Sequence, residues 1–297
     1  MNKIKVLMAI DEPNLATIIV HTASNLIDKD NSEITLLNVN ETNVPGEYYF
    51  INSPQKFIEH EAEKSDFAYL ENYLETEGFN YKGFLYREGS AADNILDVAE
   101  KERYDLIVVG SHNKHATQRF FLGSVSYKIS RLSKVSVLVI KPTDKSNVEK
   151  NENYSVLFAT DSSDYSEYAS NNLGKFIDKK RAIVNVLNVL PPIQEIIPTD
   201  AYIYTDITRI MEESELVSKE IVRETAINIA RQGVNIDKKY HVTGNTASSI
   251  IKEAEKNLAK LIIMGAHGKT HIPDWLMGSV STKVYENSPI SVLIIKK

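Results

Sequence analysis

The 297-residue chain has no cysteine, one tryptophan and no apolar run approaching the length needed to cross a membrane. Without thiols there are no disulfides, thiolate metal sites or cysteine nucleophiles. Its seven histidines show no His-Glu-x-x-His or comparable spacing, which argues against a dedicated metal site. The full Walker pattern Gly-x-x-x-x-Gly-Lys-Ser/Thr, a carboxylate cluster for two metals and an activated nucleophile are likewise missing from the sequence. A basic excess is also absent: 34 Lys and Arg against 40 Asp and Glu give a net charge of −6, which argues against a nucleic-acid surface. Near the start, Val6 to Ile10 is only five apolar residues before Asp11, short of the apolar core of a signal peptide. The expectation is a cytoplasmic protein with no membrane and no nucleic-acid partner.

What is present is a duplication. The length alone suggests about two domains. Leu261-Ile262-Ile263-Met264 reads as a buried strand, and it runs into Gly265-Ala266-His267-Gly268, nine residues, then Gly278-Ser279. An earlier stretch repeats the plan: Leu106 to Val109, Gly110-Ser111-His112-Asn113, nine residues, Gly123-Ser124. Residues 110–141 align with 265–296 at an offset of 155 without gaps, and Gly89, Ala92, Ile95 and Ala99-Glu100-Lys101 match Gly244, Ala247, Ile250 and Ala254-Glu255-Lys256. Nearer the start the offset is 150, pairing Val6-Leu7, Ala9 and Asp11 with Val156-Leu157, Ala159 and Asp161. Residues 1–142 and 154–297 therefore read as tandem domains joined by the polar, aperiodic linker 143–153.

Within each half, apolar runs alternate with segments of helical spacing. The first half predicts strands at Lys5–Ile10, Glu33–Val39, Tyr81–Tyr86, Asp105–Val109 and Val135–Ile140. Helices are predicted over Leu15–Ile27, Phe57–Thr76, Ala91–Glu102 and Ser124–Leu132. The second half predicts the same order, with a helix from Ser163 to Ile177, a Pro-containing loop over Leu190–Ile203 and a long helix ending near Arg231. Such alternation predicts an α/β fold: two domains, each a five-stranded parallel sheet with helices on both faces.

A strand, Gly-x-x-Gly, nine residues, Gly-Ser, helix and strand, with an Asp closing the first strand, resembles the universal stress protein family. The resemblance covers both halves and implies a Rossmann-like, adenine nucleotide alpha-hydrolase-like fold. Many members with this motif bind ATP, so the implied ligand is ATP or a related adenine nucleotide, with Mg²⁺ left open. Carried onto this sequence, Gly265, Gly268, Gly278 and Ser279 would hold phosphate and ribose, and Val280 would offer a further N–H. Asp161 would contact the nucleoside, and backbone at Val189 would meet adenine. The competing readings are structural. Gly265 and Gly268 are then loop glycines, Ser279 is a helix cap worth about 1 kcal/mol, and Ser162, Ser163 or Asp164 caps the next helix. His267 and His112 read as structural, and Trp275 and Met277 as packing residues.

The first half departs from the motif: Asn113 stands where the second glycine belongs, and Phe120-Phe121 add bulk, so nucleotide is expected mainly in the second domain. With no catalytic apparatus visible, the expected role is a stress-response regulatory module in which hydrolysis is incidental. The alternative is an interaction or scaffold protein with vestigial sites, for which Tyr48-Tyr49-Phe50 would supply exposed aromatics. The last strand of each half is apolar and would lie bare at a sheet edge. The two halves are therefore expected to pair internally about a pseudo-twofold axis, with a homodimer left open.

Overall fold

The computed structural model describes residues 3–41, 61–111, 123–143, 152–196, 206–268 and 277–297. The first half runs β1 (Ile4–Ile10), α1 (Pro13–Leu26), β2 (Ser32–Asn40), α2 (Glu61–Thr76), β3 (Asn80–Glu88), α3 (Ala91–Lys101), β4 (Leu106–Gly110), α4 (Ser124–Leu132) and β5 (Ser136–Ile140). The second runs β6 (Tyr154–Thr160), α5 (Asp164–Asn172), β7 (Ala182–Leu190), α6 (Ile193–Ile196), α7 (Ile207–Ala230), β8 (Asn235–Thr243), α8 (Thr246–Lys256), β9 (Leu261–Gly265), α9 (Ser279–Asn287) and β10 (Ser291–Ile295). Strands β1 and β2 map onto β6 and β7 at 150, and everything from β3 onward maps at 155. The five-residue difference therefore falls in the stretch holding α2 and α7.

The strands form a single ten-stranded sheet in the order β3-β2-β1-β4-β5-β10-β9-β6-β7-β8. Pairing is parallel within each half and antiparallel only between β5 and β10, where Leu138 faces Leu293, Val139 faces Val292 and Val137 faces Ile294. Leu138 and Leu293 are 155 apart, so a pseudo-twofold axis passes through that pair. The two strands that would be bare edges cover each other.

Alternation along the buried strands sends one set of side chains to each face. Val6, Met8, Leu261 and Ile263 join one apolar cluster, and Leu7, Ile262 and Met264 join the other. Helices α1, α2, α5 and α7 close the first face, and α3, α4, α8 and α9 close the second. Both faces are covered, so the central strands read as unbroken apolar runs, as parallel sheets require.

Two expectations are corrected. The helix predicted over Ser163–Ile177 stops at Asn172 and tightens into a 3₁₀ turn at Leu173–Lys175. Asn and Gly are weak helix formers, and the Gln232 side chain accepts from the Gly174 amide at 2.9 Å, ending the helix there. The loop over Leu190–Ile203 contains the single turn α6, started by two prolines whose fixed φ suits a helix entrance. Tyr154 is the first residue of β6, buried with its hydroxyl donating to Leu26 O at 2.7 Å. Phe57 and the Tyr48-Tyr49-Phe50 stretch lie outside the described residues.

Candidate nucleotide site

In the second half the carboxyl ends of β6, β7 and β9 meet the starts of α5, α8 and α9, the usual ligand position in open parallel sheets. A cavity of about 150 Å³ opens there. Its lining brings together all seven residues singled out in the sequence: Asp161, Val189, Gly265, Gly268, Gly278, Ser279 and Val280. Leu187, Ile250 and Met264 give it an apolar floor, and Thr160, Ser166, Thr246 and Ser281 add hydroxyls.

The described residues on either side of the glycine loop are joined by hydrogen bonds. Gly278 N donates to Ala266 O at 2.9 Å, Ala266 N donates to Ile295 O at 3.2 Å, and the Ser281 hydroxyl donates to Gly265 O at 3.0 Å. The helix cap is Gly278, so Ser279 is the first helical residue and not the cap. Among the described residues α9 has no side-chain cap. The other two helix starts are taken: Ser163 accepts from Ser166 N at the start of α5, and Asn245 accepts from Ser248 N at the start of α8. Of these three helix starts, α9 alone has no side-chain cap among the described residues, and an uncapped helix start with its positive dipole end suits anion binding.

The glycines are needed for close approach and not for left-handed backbone, since none of the three has positive φ. A Cβ on Gly268 would lie 2.6 Å from Asp161 Oδ2, so this glycine makes room for the carboxylate. A Cβ on Gly265 would lie 2.8 Å from the Tyr165 carbonyl, so that glycine lets α5 pack against the end of β9. Gly265 thus lines the cavity for a packing reason.

Asp161 is fixed from one side. Its Oδ1 accepts from Ser163 N at 3.0 Å and from the Ser163 hydroxyl at 2.7 Å. Ser162 between them sits in the left-handed region at φ 60°. The Ser163 hydroxyl also approaches His267 O at 3.3 Å, tying this turn to the glycine loop. His267 is buried, and its ring lies 4.5 Å from that of Tyr165, which fits the structural reading. Met277 is buried, as packing requires. His112, Asn113, Phe120, Phe121, Lys269, Asp274 and Trp275 lie outside the described residues.

Behind the cavity is a polar network that sequence reasoning missed. The Thr160 hydroxyl lies 2.7 Å from Ser166 Oγ and 3.2 Å from Thr225 Oγ1. Asn188 donates to Thr160 O at 2.7 Å and accepts from Ser218 at 2.7 Å. The first half has Ile10, Ala16 and Leu70 at the positions of Thr160, Ser166 and Thr225, so the hydroxyl cluster belongs to the second half alone. The signal was present in the alignment as three apolar-to-hydroxyl differences.

The universal stress protein family model matches residues 4–141 and again residues 153–296. The chain belongs to the universal stress protein family. It is 31% identical over 150 residues to the universal stress protein YxiE of Bacillus subtilis, covering 46% of this chain and 98% of that protein. It is 30% identical over 153 residues to the universal stress protein MJ0577 of Methanocaldococcus jannaschii, covering 48% and 94%. A crystal structure of a universal stress protein from Archaeoglobus fulgidus superposes with a TM-score of 0.63 at 20% identity, covering 98% of both chains. That likeness extends over both halves and shows the tandem universal stress protein fold. Among the described residues, no helix is long and apolar enough to cross a membrane and no group of three or more His, Asp or Glu is placed to hold a metal.

Proposed function

We propose that this universal stress protein is a regulatory module that binds ATP or a related adenine nucleotide in its second half. The observation that carries the reading is one cavity in which the uncapped start of α9, the Gly268 turn and the Asp161 carboxylate converge over an apolar floor. The donor set fits the ligand. Amides at Ser279 and Val280 suit phosphate oxygens, Asp161 suits a nucleoside donor group, and Leu187, Ile250 and Met264 suit the flat face of a base. A Cβ at Gly268 would enter this cradle, so the glycine keeps it open. Bound nucleotide would stabilise the folded second half by mass action, and that gain is the regulatory signal.

Calorimetric titration of the full chain with ATP tests the reading. Saturable binding at one site per chain, lost in Gly268→Trp, is expected. No heat of binding up to millimolar ATP overturns it.

A further inference from the structure

The turn after β6 differs from its counterpart after β1 in a way the glycine motif does not reveal. In the second half, Ser162 takes φ 60° and Ser163 caps α5 at φ −69°. This brings both the N–H and the hydroxyl of Ser163 back onto Asp161 Oδ1, at 3.0 and 2.7 Å. Among the described residues Asp161 Oδ2 has no hydrogen-bond partner, and it points over Gly268. A carboxylate whose first oxygen is satisfied twice presents the second as a fixed acceptor.

At an offset of 150 the residue matching Ser163 is Pro13. Proline has no N–H and no hydroxyl, so neither bond can form there. Proline also disfavours helical-region backbone in the residue before it, and Glu12 is accordingly extended at φ −65° and ψ 139° and caps α1 one position earlier. The two turns have different shapes although Asp11 and Asp161 are the same residue type.

We infer that Ser163 is a positioning residue: it aims Asp161 Oδ2 at the nucleoside part of a bound adenine nucleotide, and Pro13 leaves the first half without this arm. The inference rests on the nucleotide reading above. It places the asymmetry between the halves in the acidic arm as well as in the glycine loop. The Ser163 hydroxyl approaches His267 O only at 3.3 Å, against 2.7 Å to Asp161 Oδ1, so its main hold is on the acidic arm.

The test is calorimetry on the full chain with two probes, ATP and inorganic tripolyphosphate, which lacks a nucleoside. A charge-assisted hydrogen bond misaligned by Ser163→Ala is expected to weaken ATP about 10-fold and to leave tripolyphosphate unchanged. Ser163→Thr keeps the hydroxyl and is expected to retain ATP affinity. Adding Ser163→Ala to Asp161→Ala is expected to cost nothing further, because the serine acts through the carboxylate. Unchanged ATP affinity in Ser163→Ala overturns the inference while the nucleotide reading stands. Equal weakening of both probes with a lowered melting temperature overturns it too, leaving only a helix cap. Failure of the unmutated chain to bind ATP removes the underlying reading, and the inference with it.

Discussion

At the scale of single residues, unoccupied space decides more than conformational freedom. A Cβ on Gly268 would lie 2.6 Å from Asp161 Oδ2, closer than unstrained contact allows, so the carboxylate favours glycine there. Gly268→Ala is therefore expected to push the carboxylate aside and weaken ATP at least 10-fold while folding is retained, with affinity read by calorimetry and fold by circular dichroism. A second residue-scale prediction concerns Lys141, which is 1% exposed. Among the described residues its Nζ has no hydrogen-bond partner, and it lies 5.8 Å from the centre of the Tyr285 ring. Burial pushes its pKa down to about 8 despite the opposing charge of Glu286. Its counterpart Lys296 is also pushed down to about 8 by burial, although its Nζ donates to Ser130 O at 2.8 Å. Below its unfolded value, a depressed lysine leaves the unfolded chain binding more protons. Stability should thus rise with pH from about 8 to about 10.5. Lys141→Met should reduce that slope and stabilise the protein at pH 7 by up to about 3 kcal/mol, measured by urea denaturation across the pH range.

At the scale of elements, α7 is tied to the cavity wall by hydrogen bonds from Ser218 and Thr225. Asn188 at the end of β7 holds both Thr160 O and the Ser218 hydroxyl of α7, each at 2.7 Å. Asn188→Leu strands a buried carbonyl and a buried hydroxyl together, for an expected loss of about 2–4 kcal/mol in chemical denaturation. Among the described residues Asn38 makes the first of these contacts alone, to Ile10 O at 3.0 Å. Asn38→Leu should therefore cost about half as much. Most element positions were legible from apolar periodicity: α4 and α9 begin and end where their spacing predicts. The early end of α5 was not legible, because Gln232 from 58 residues away takes the Gly174 amide. No local pattern carries that information.

At the scale of the whole molecule, one sheet spans both halves, with a buried seam. Tyr285 reaches across to Ser126 O at 2.7 Å, and Lys141 N and Lys296 N donate to Ser291 and Ser136 at 3.1 and 3.2 Å. A second contact joins the end of α1 to the stretch before β7, where Arg181 donates to Asn25 O at 3.2 Å and Lys180 pairs with Asp30 at 3.1 Å. The two halves are accordingly expected to unfold in one transition. Leu293→Ala at the pseudo-twofold axis should shift that single transition by about 2–5 kcal/mol. Two separate transitions, with the first half unmoved, would show that the seam does not couple them.

The duplication and the α/β class were readable in order along the chain, because apolar period and motif spacing are local properties, whereas the seven cavity residues followed from the family resemblance that the motif carries. The choice of which helix start stays uncapped came only with tertiary structure. So did the reason each glycine is glycine, since both depend on atoms brought close from distant positions. The difference between Pro13 and Ser163 lies between the two: it is plain in the alignment, yet it acquires meaning only once Ser163 is seen folded back onto Asp161.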